Sequence, residues 1–325
     1  MAIYDRRQRG DAAPERATLE LARTGDAWAL TSAHDYPVIA SKVTDLLAKL
    51  GGLQARGPIA SGPGRAKQLA VADDLWERKI VVTTPAGDRT FLVGSAAGAR
   101  RTAFRIGGQD AIYGTDLTAG GVSVAPTGWI DTSYAKFDKA DVVGVAVTKG
   151  GSTIELDKRS GSWAASVAGQ PVVPKAGDVI ADDVLDRVVT QLASINVAAP
   201  GDPARPVPAD ATTVVVTFKA PAPAADAAGS AADPAAAAVS APEPQRTFTL
   251  SLEGDKYWVR EDGNPRAALV NKGALEVIVS LERDRLTKAK PDPAAAPAGG
   301  GLERPAGMPL DMPMPDDLPP GLGMP

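Results

Sequence analysis

The 325-residue chain has no cysteine, which rules out disulfides, thiolate metal sites and cysteine nucleophiles. It has one histidine, His34, so metal centres built on imidazole are excluded by count, leaving only oxygen-ligated cations such as Ca²⁺ or Mg²⁺. Aromatic residues make up 5% of the chain. Neither sign of charge dominates: 35 Lys and Arg stand against 39 Asp and Glu, for a net charge of −4. Without a basic field to displace counterions from a phosphate backbone, nucleic acid is not an expected partner. No run approaches the roughly 18–20 apolar residues of a membrane helix. The opening MAIYDRRQRGDAAPER is polar and lacks the apolar centre of a signal peptide.

What is present is length enough for two ordinary domains and a self-similarity that points to them. TLELARTGDAWALTS (18–32) is followed by a turn with Pro37 and by SKVTDLLAKLGGLQA (41–55). TIELDKRSGSWAASV (153–167) is followed by a turn with Pro171 and Pro174 and by ADDVLDRVVTQLASINVA (181–198). In each, alternation (Leu19 and Leu21, Ile154 and Leu156) predicts a strand, and a short Gly turn leads into a second strand with Trp28 or Trp163. Helices are predicted next, with Val43, Leu46, Leu47 and Leu50 on one face, and Leu185, Val188, Leu192 and Ile195 on the other's. Ser41 and Asp182 are the expected N-caps.

The parallel continues. RKIVVTTPAGDRTFLVG (78–94) corresponds to ATTVVVTFK (211–219) with QRTFTLSLEG (245–254), the latter hairpin carrying an Ala/Pro-rich insertion at its tip. Loop closure costs only about 0.6 kcal/mol per doubling of length, so a hairpin tolerates such an insertion. AFRIGGQDAIYG (103–114) answers YWVREDGNPRAALV (257–270), and GWIDTSYAKF (128–137) loosely answers SLERDRLTKA (280–289). The expected fold class is therefore α+β: a tandem repeat of two similar units, each a mainly antiparallel sheet of hairpins packed with one or two helices. The expected domains are a first unit over 1–137 and a second over 138–288 with a disordered hairpin insertion at 220–245. A disordered Pro/Ala/Met-rich tail follows over 289–325, because such a composition cannot bury enough apolar surface to order itself.

The second unit opens with DVVGVAVTKGG (141–151), with Val143, Val145 and Val147 on one face; the first has only MAIYDR at that place. Residues 1–5 are thus expected to be the end of a truncated strand. That leaves room for an upstream segment holding a membrane anchor.

Chemistry-bearing residues have plainer roles available. His34 lies in a polar turn (SAHDYP) with no GxSxG elbow to serve. The pairs Asp73–Asp74, Asp182–Asp183 and Asp316–Asp317 lack EF-hand spacing. GPGRAK (62–67) sets cations beside a Gly-rich segment, read as a flexible loop rather than an anion site. Arg9-Gly10-Asp11 spells an integrin tripeptide without context. Trp28, Trp163 and Trp258 are expected in the core rather than on a carbohydrate platform, and Asp131 and Asp284, at matching places near each unit's end, as buried or capping carboxylates. The Met-Pro steps of the tail read as solvated rather than as a docking motif. No catalytic, cofactor-binding or metal-ligating residue is assigned, and no cofactor is expected.

The cues GDAWALT with VTDLLAKLGGLQA, then RTFLVG, then GSWAASV with VLDRVVTQLASINV, resemble the bacterial family called domain of unknown function 4340, over about residues 18–288. The resemblance implies one N-terminal membrane helix ahead of an extracytoplasmic repeat region, encoded beside ABC-2 transporter components of the gliding-motility kind. It implies a noncatalytic accessory, protein-binding module of the cell envelope, with membrane transporter components as protein partners. This chain departs by lacking the anchor: the expected location is the periplasmic side of the inner membrane if the start is truncated, and the cytoplasm otherwise. The alternative is a module binding glycan or an anion in the cleft between repeats; an unrecognised hydrolase ranks third.

Overall fold

The structure is a computed structural model describing residues 1–6, 17–52, 57–98, 100–220 and 243–290. The expected insertion (220–245), the tail (289–325), Arg9-Gly10-Asp11 and Asp316–Asp317 lie wholly or almost wholly outside the described residues.

The fold is α+β, mostly antiparallel strand with few helices. Its first half runs β1 (Ala2–Tyr4), β2 (Leu19–Thr24), β3 (Ala27–Leu30), β4 (Tyr36–Pro37), α1 (Ala40–Gly52), β5 (Ala60–Ser61), α2 (Pro63–Gln68), β6 (Val71–Ala72), β7 (Leu75–Trp76), β8 (Arg78–Thr84), β9 (Gly87–Ala96), β10 (Thr102–Ile106), β11 (Ala111–Thr115) and β12 (Ser133–Lys136). The rest runs β13 (Val142–Lys149), β14 (Ser152–Asp157), β15 (Ala164–Val167), β16 (Gln170–Pro171), β17 (Asp178–Ile180), α3 (Asp182–Leu192), β18 (Ser194–Asn196), β19 (Ala199–Gly201), β20 (Thr212–Phe218), β21 (Gln245–Glu253), β22 (Lys256–Glu261), β23 (Ala267–Asn271), α4 (Glu276–Val279) and β24 (Thr287–Ala289).

Two nine-stranded sheets result, ordered β4-β3-β2-β1-β8-β9-β10-β11-β5 and β16-β15-β14-β13-β20-β21-β22-β23-β19. In the first hairpins of the two sheets Leu21 faces Leu30 and Leu156 faces Ala165. Gly25, at φ +62°, closes the first hairpin in the left-handed region that glycine enters without steric cost. The edge strands β4 and β16 are two residues long and carry Pro37 and Pro171, which lack an N–H and so discourage further pairing.

One hydrophobic cluster runs through both sheets. It takes Ile3, Leu19 and Ile80 from the first, Val145, Val214 and Phe248 from the second, and the buried faces of both long helices. On α1 these are Val43, Leu46 and Leu50, with Leu47 half-buried; on α3, Leu185, Val188, Val189 and Leu192. A smaller cluster lies where α2 and the β6–β7 hairpin cover part of the first sheet: Ala66, Trp76, Leu92, Ala103 and Ile112.

Several sequence expectations change. α1 begins at Ala40, so Ser41 is in its first turn rather than capping it. α3 begins at Asp182, with Ala181 as a cap that offers no side-chain bond; Asp182 and Asp183 sit instead where the helix dipole favours negative charge. Ile195 is buried on β18, past the helix end. Val143 is off the core face because a register irregularity between Val142 and Gly144 re-aims the strand, while Val145 and Val147 stay buried.

Candidate functional site

The two halves meet along a seam that carries polar side chains. Its floor is the pairing of β12 with β18, Ser133 opposite Asn196 and Lys136 opposite Ser194, extended by Val197 N donating to Thr132 O at 2.8 Å. β12 carries Tyr134, which is 4% exposed. Its hydroxyl donates to Arg266 O at 2.8 Å and accepts from Glu261 N at 3.0 Å. Burial is the main reason that this phenol is pushed up to about 12, so it is neutral across any physiological range. With both hydrogen-bonding roles occupied, Tyr134 is a pin.

Tyr36, on β4, packs beside it at 2% exposure. The Arg266 guanidinium lies 5.7 Å from its ring centroid, a cation–π distance. Burial raises the Tyr36 phenol pKa too, and its Oη has no hydrogen-bond partner among the described residues. Next along the seam, His34 Nδ1 lies 3.8 Å from Asp202 Oδ1, with both side chains nearly half exposed. Where the connection between the sheets meets α3, a groove of about 370 Å³ is lined by Ser133, Lys136, Phe137, Lys139, Thr190 and Asn196, among others.

The structure disperses the residues singled out in the sequence. His34 occupies a left-handed position at φ 56° after a short 3₁₀ turn, and its charged neighbour is Asp202. Trp163 is buried at 6% exposure, its Nε1 donating to Asp186 Oδ1 on α3 at 2.9 Å, with Lys158 Nζ 5.0 Å from the ring. Trp258 is fully buried, donates to Asp202 O at 2.9 Å, and has the Arg205 and Arg260 guanidiniums 5.6 and 5.7 Å from its ring. Trp28 is only half-buried, opposite Arg23.

Asp131 accepts from Ser133 N at 2.9 Å, a local turn bond. Asp284 lies in a 3₁₀ turn over Arg283–Arg285. The two do not occupy equivalent places: ahead of α1 Ile39 N donates to Trp129 O, whereas ahead of α3 Ala181 N donates to Leu286 O. That makes Trp129 the counterpart of Leu286 and shifts Asp131 past Asp284.

GPGRAK is not a loop. Pro63, at the first helical position, opens α2, and Ala66 packs into the smaller cluster. Beside it Arg105, 6% exposed, donates to Val71 O and Gln109 O and pairs with Asp73. This buried cation has its donors satisfied within the fold, a residue the sequence reading passed over because strand patterning predicts an outward position for it. Trp129 was also missed; it is 5% exposed and its Nε1 donates to Ser123 O at 2.9 Å.

Among the described residues no group of three or more His, Asp or Glu is placed to hold a metal ion, and no helix is long and apolar enough to cross a membrane. Fold and seam together define a class: an α+β protein of two antiparallel sheets that share a core, whose polar seam contacts fasten one half to the other. The chain belongs to the family described as Domain of unknown function (DUF4340), whose model matches residues 28–213, more than half of it. That match runs from Trp28 on β3 to the start of β20, a shorter span than the 18–288 read from the sequence, and it crosses from one sheet into the other. No curated protein and no solved structure matches the chain.

Proposed function

We propose that this chain is a noncatalytic accessory module of the cell envelope that binds a protein partner, of the class of membrane transporter components, on a platform made of two copies of one unit. The two-copy reading is supported by the common strand order of the nine-stranded sheets and by first hairpins in the same register. The observation that carries the binding role is the seam. Tyr134 bonds the main chain at both Glu261 and Arg266, and β12 pairs with β18 over a core continuous through both sheets. Such fastening suits a rigid surface presented to a partner, since a preorganised binder loses little entropy on association.

The test is a crosslinking pull-down from the native host with the full reading frame. Recovery of transporter membrane subunits, lost when β12–β18 is broken by Ala135→Pro, supports the reading. Recovery of background proteins only counts against it.

A second reading, binding of an anionic group or glycan, draws on the groove at Lys136 and Lys139, two exposed lysines with hydroxyl and amide neighbours. A thermal-shift screen with inorganic phosphate, sulfate and neutral and acidic oligosaccharides separates the two. A rise in Tm that vanishes in the double variant Lys136→Ala, Lys139→Ala would favour the ligand.

A further inference from the structure

Strand pairing carries a residue-by-residue correspondence from one sheet to the other. Ile3 stands opposite Leu19 and Ile80, and Val147 opposite Ile154 and Val214. Ile80 then faces Phe91, and Val214 faces Phe248. One position further on, Leu92 faces Arg105 and Thr249 faces Arg260. Phe91 and Phe248 point into the main core, so alternation turns their neighbours to the outer face of each sheet. The two sheets therefore place an arginine at the same point of the same outer face, on β10 in the first and on β22 in the second.

The surroundings of these two arginines differ. Over Arg105 the chain from Gly62 to Glu77 folds into α2 and the β6–β7 hairpin. That hairpin brings Val71 O to Arg105 Nε and the Asp73 carboxylate, at its turn, to Nη2. Gln109 O accepts from Nη1 at 3.0 Å. Over the second sheet the corresponding connection is the shorter stretch from Asp202 to Ala211, which holds neither helix nor hairpin. It crosses Trp258, two residues from Arg260: Trp258 Nε1 donates to Asp202 O, and Arg205 lies 5.6 Å from the ring and pairs with Glu253. Arg260 is partly buried, 5.7 Å from the other flank of the Trp258 ring, and its guanidinium makes no hydrogen bond or ion pair among the described residues. Beside it Thr249 stands in the place of Leu92, so a hydroxyl replaces an apolar contact.

We propose that Arg260 is the docking point for an acidic turn of a protein partner, whose carboxylate takes the place against Arg260 that Asp73 takes against Arg105. The first sheet shows the complement that an arginine accepts at this position: a carboxylate and a main-chain oxygen from one tight hairpin turn. The planar fork of a guanidinium receives two oxygens side by side, and such bonds between ions are roughly twice as strong as neutral ones. The Trp258 ring already holds the Arg260 fork by a cation–π contact, so little side-chain freedom is lost on association. The template is a turn of protein chain rather than a bare oxyanion, and that decides the class of occupant. The inference rests on the two-copy reading and adds the chemistry of the partner's surface to the proposed binding role.

The test titrates the full chain, with nitrogen-labelled arginine, against a cyclised copy of the Val71–Trp76 hairpin and against its twin carrying Asp73→Asn and Asp74→Asn. The acidic peptide is expected to shift the Arg260 Nε–H resonance saturably and to bind roughly tenfold more tightly than the twin. In Arg260→Gln, folded by circular dichroism, that preference is expected to vanish, whereas Arg187→Gln on α3 keeps it. Equal affinity for the two peptides, or an undiminished preference in Arg260→Gln, overturns the docking point. Inorganic phosphate saturating the Arg260 signal at a lower concentration than the acidic peptide overturns the protein occupant. In the crosslinking pull-down, Arg260→Gln is expected to recover fewer transporter subunits. Undiminished recovery overturns this docking point and leaves the binding role standing, while loss of recovery from the unaltered chain sinks that role and leaves the peptide result intact.

Discussion

Replacing Gly94 with alanine probes the tightest backbone approach in the first sheet. Gly94 lies on β9 where residues 69–71 cross, and an added Cβ would collide with Leu69 O, lie 2.6 Å from Ala70 O and 2.7 Å from a Val71 methyl carbon. Two of these neighbours are main-chain atoms and cannot rotate away. Overpacking of this kind costs about 1–3 kcal/mol. The shift also strains the 2.9 Å bond from Ser95 N to Leu69 O, worth about 1 kcal/mol. Together the loss is about 2–4 kcal/mol, which corresponds to a Tm lower by roughly 4–12 °C in a domain of this size. Urea unfolding followed by tryptophan fluorescence reads it directly, because Trp76 belongs to the cluster that β6 and β7 hold against β9. Gly64→Ala is the control: nothing lies within 4 Å of its added Cβ, and helix propensity predicts no loss and up to about 1 kcal/mol of gain. A Gly94→Ala chain unfolding at the wild-type urea midpoint would falsify the close-approach argument.

Further outcomes follow from buried polar contacts. Tyr134→Phe leaves Glu261 N without its acceptor and is expected to cost about 1–3 kcal/mol in urea unfolding; no change would show that the seam is not fastened there. The folded Tyr134 phenol, at about 12, binds its proton more tightly than the unfolded one at 10. The contribution of this group to stability is therefore flat below pH 10 and falls as pH rises toward 12, by up to about 2–3 kcal/mol. Tyr134→Phe should flatten that decline, with the raised Tyr36 phenol leaving a residual slope. Trp163→Phe removes the bond to Asp186 and is expected to cost about 1–2 kcal/mol, with loss of a near-UV dichroism band; an unchanged midpoint refutes the contribution of that bond. Arg105→Met leaves the buried Val71 O without its donor and is expected to cost about 1–3 kcal/mol, which thermal unfolding would detect.

Local pattern carried far into this fold. Alternation at Leu19 and Leu21 and at Ile154 and Leu156, together with turn chemistry at Gly25, is enough to place both first hairpins. Helical spacing at Val43, Leu46 and Leu50 marks the buried face of α1. The misses have physical causes. Val143 obeys the alternation of its neighbours, but the register irregularity ahead of Gly144 is imposed by the partner strand and leaves no mark in the pattern. GPGRAK looks like a loop by composition; its helix follows from Ala66 packing beneath residues far along the chain. Arg105 sits at an alternating strand position, and only the β6 crossing turns that position inward. At the seam, Tyr134 and Tyr36 meet residues more than a hundred positions away, Arg266 and Glu261, a coincidence that no local window contains.

The strand Ser133–Lys136 has a temporal consequence during synthesis. Its partner is Ser194–Asn196, beyond α3, so the last strand of the first half has nothing to pair with while the ribosome works through the intervening segment. Translation at about 5–20 residues per second makes that interval several seconds, long compared with hairpin formation in microseconds. The first half therefore waits, its Tyr134 still solvated, and the nascent chain acquires its final geometry only when the opposite side of the seam emerges.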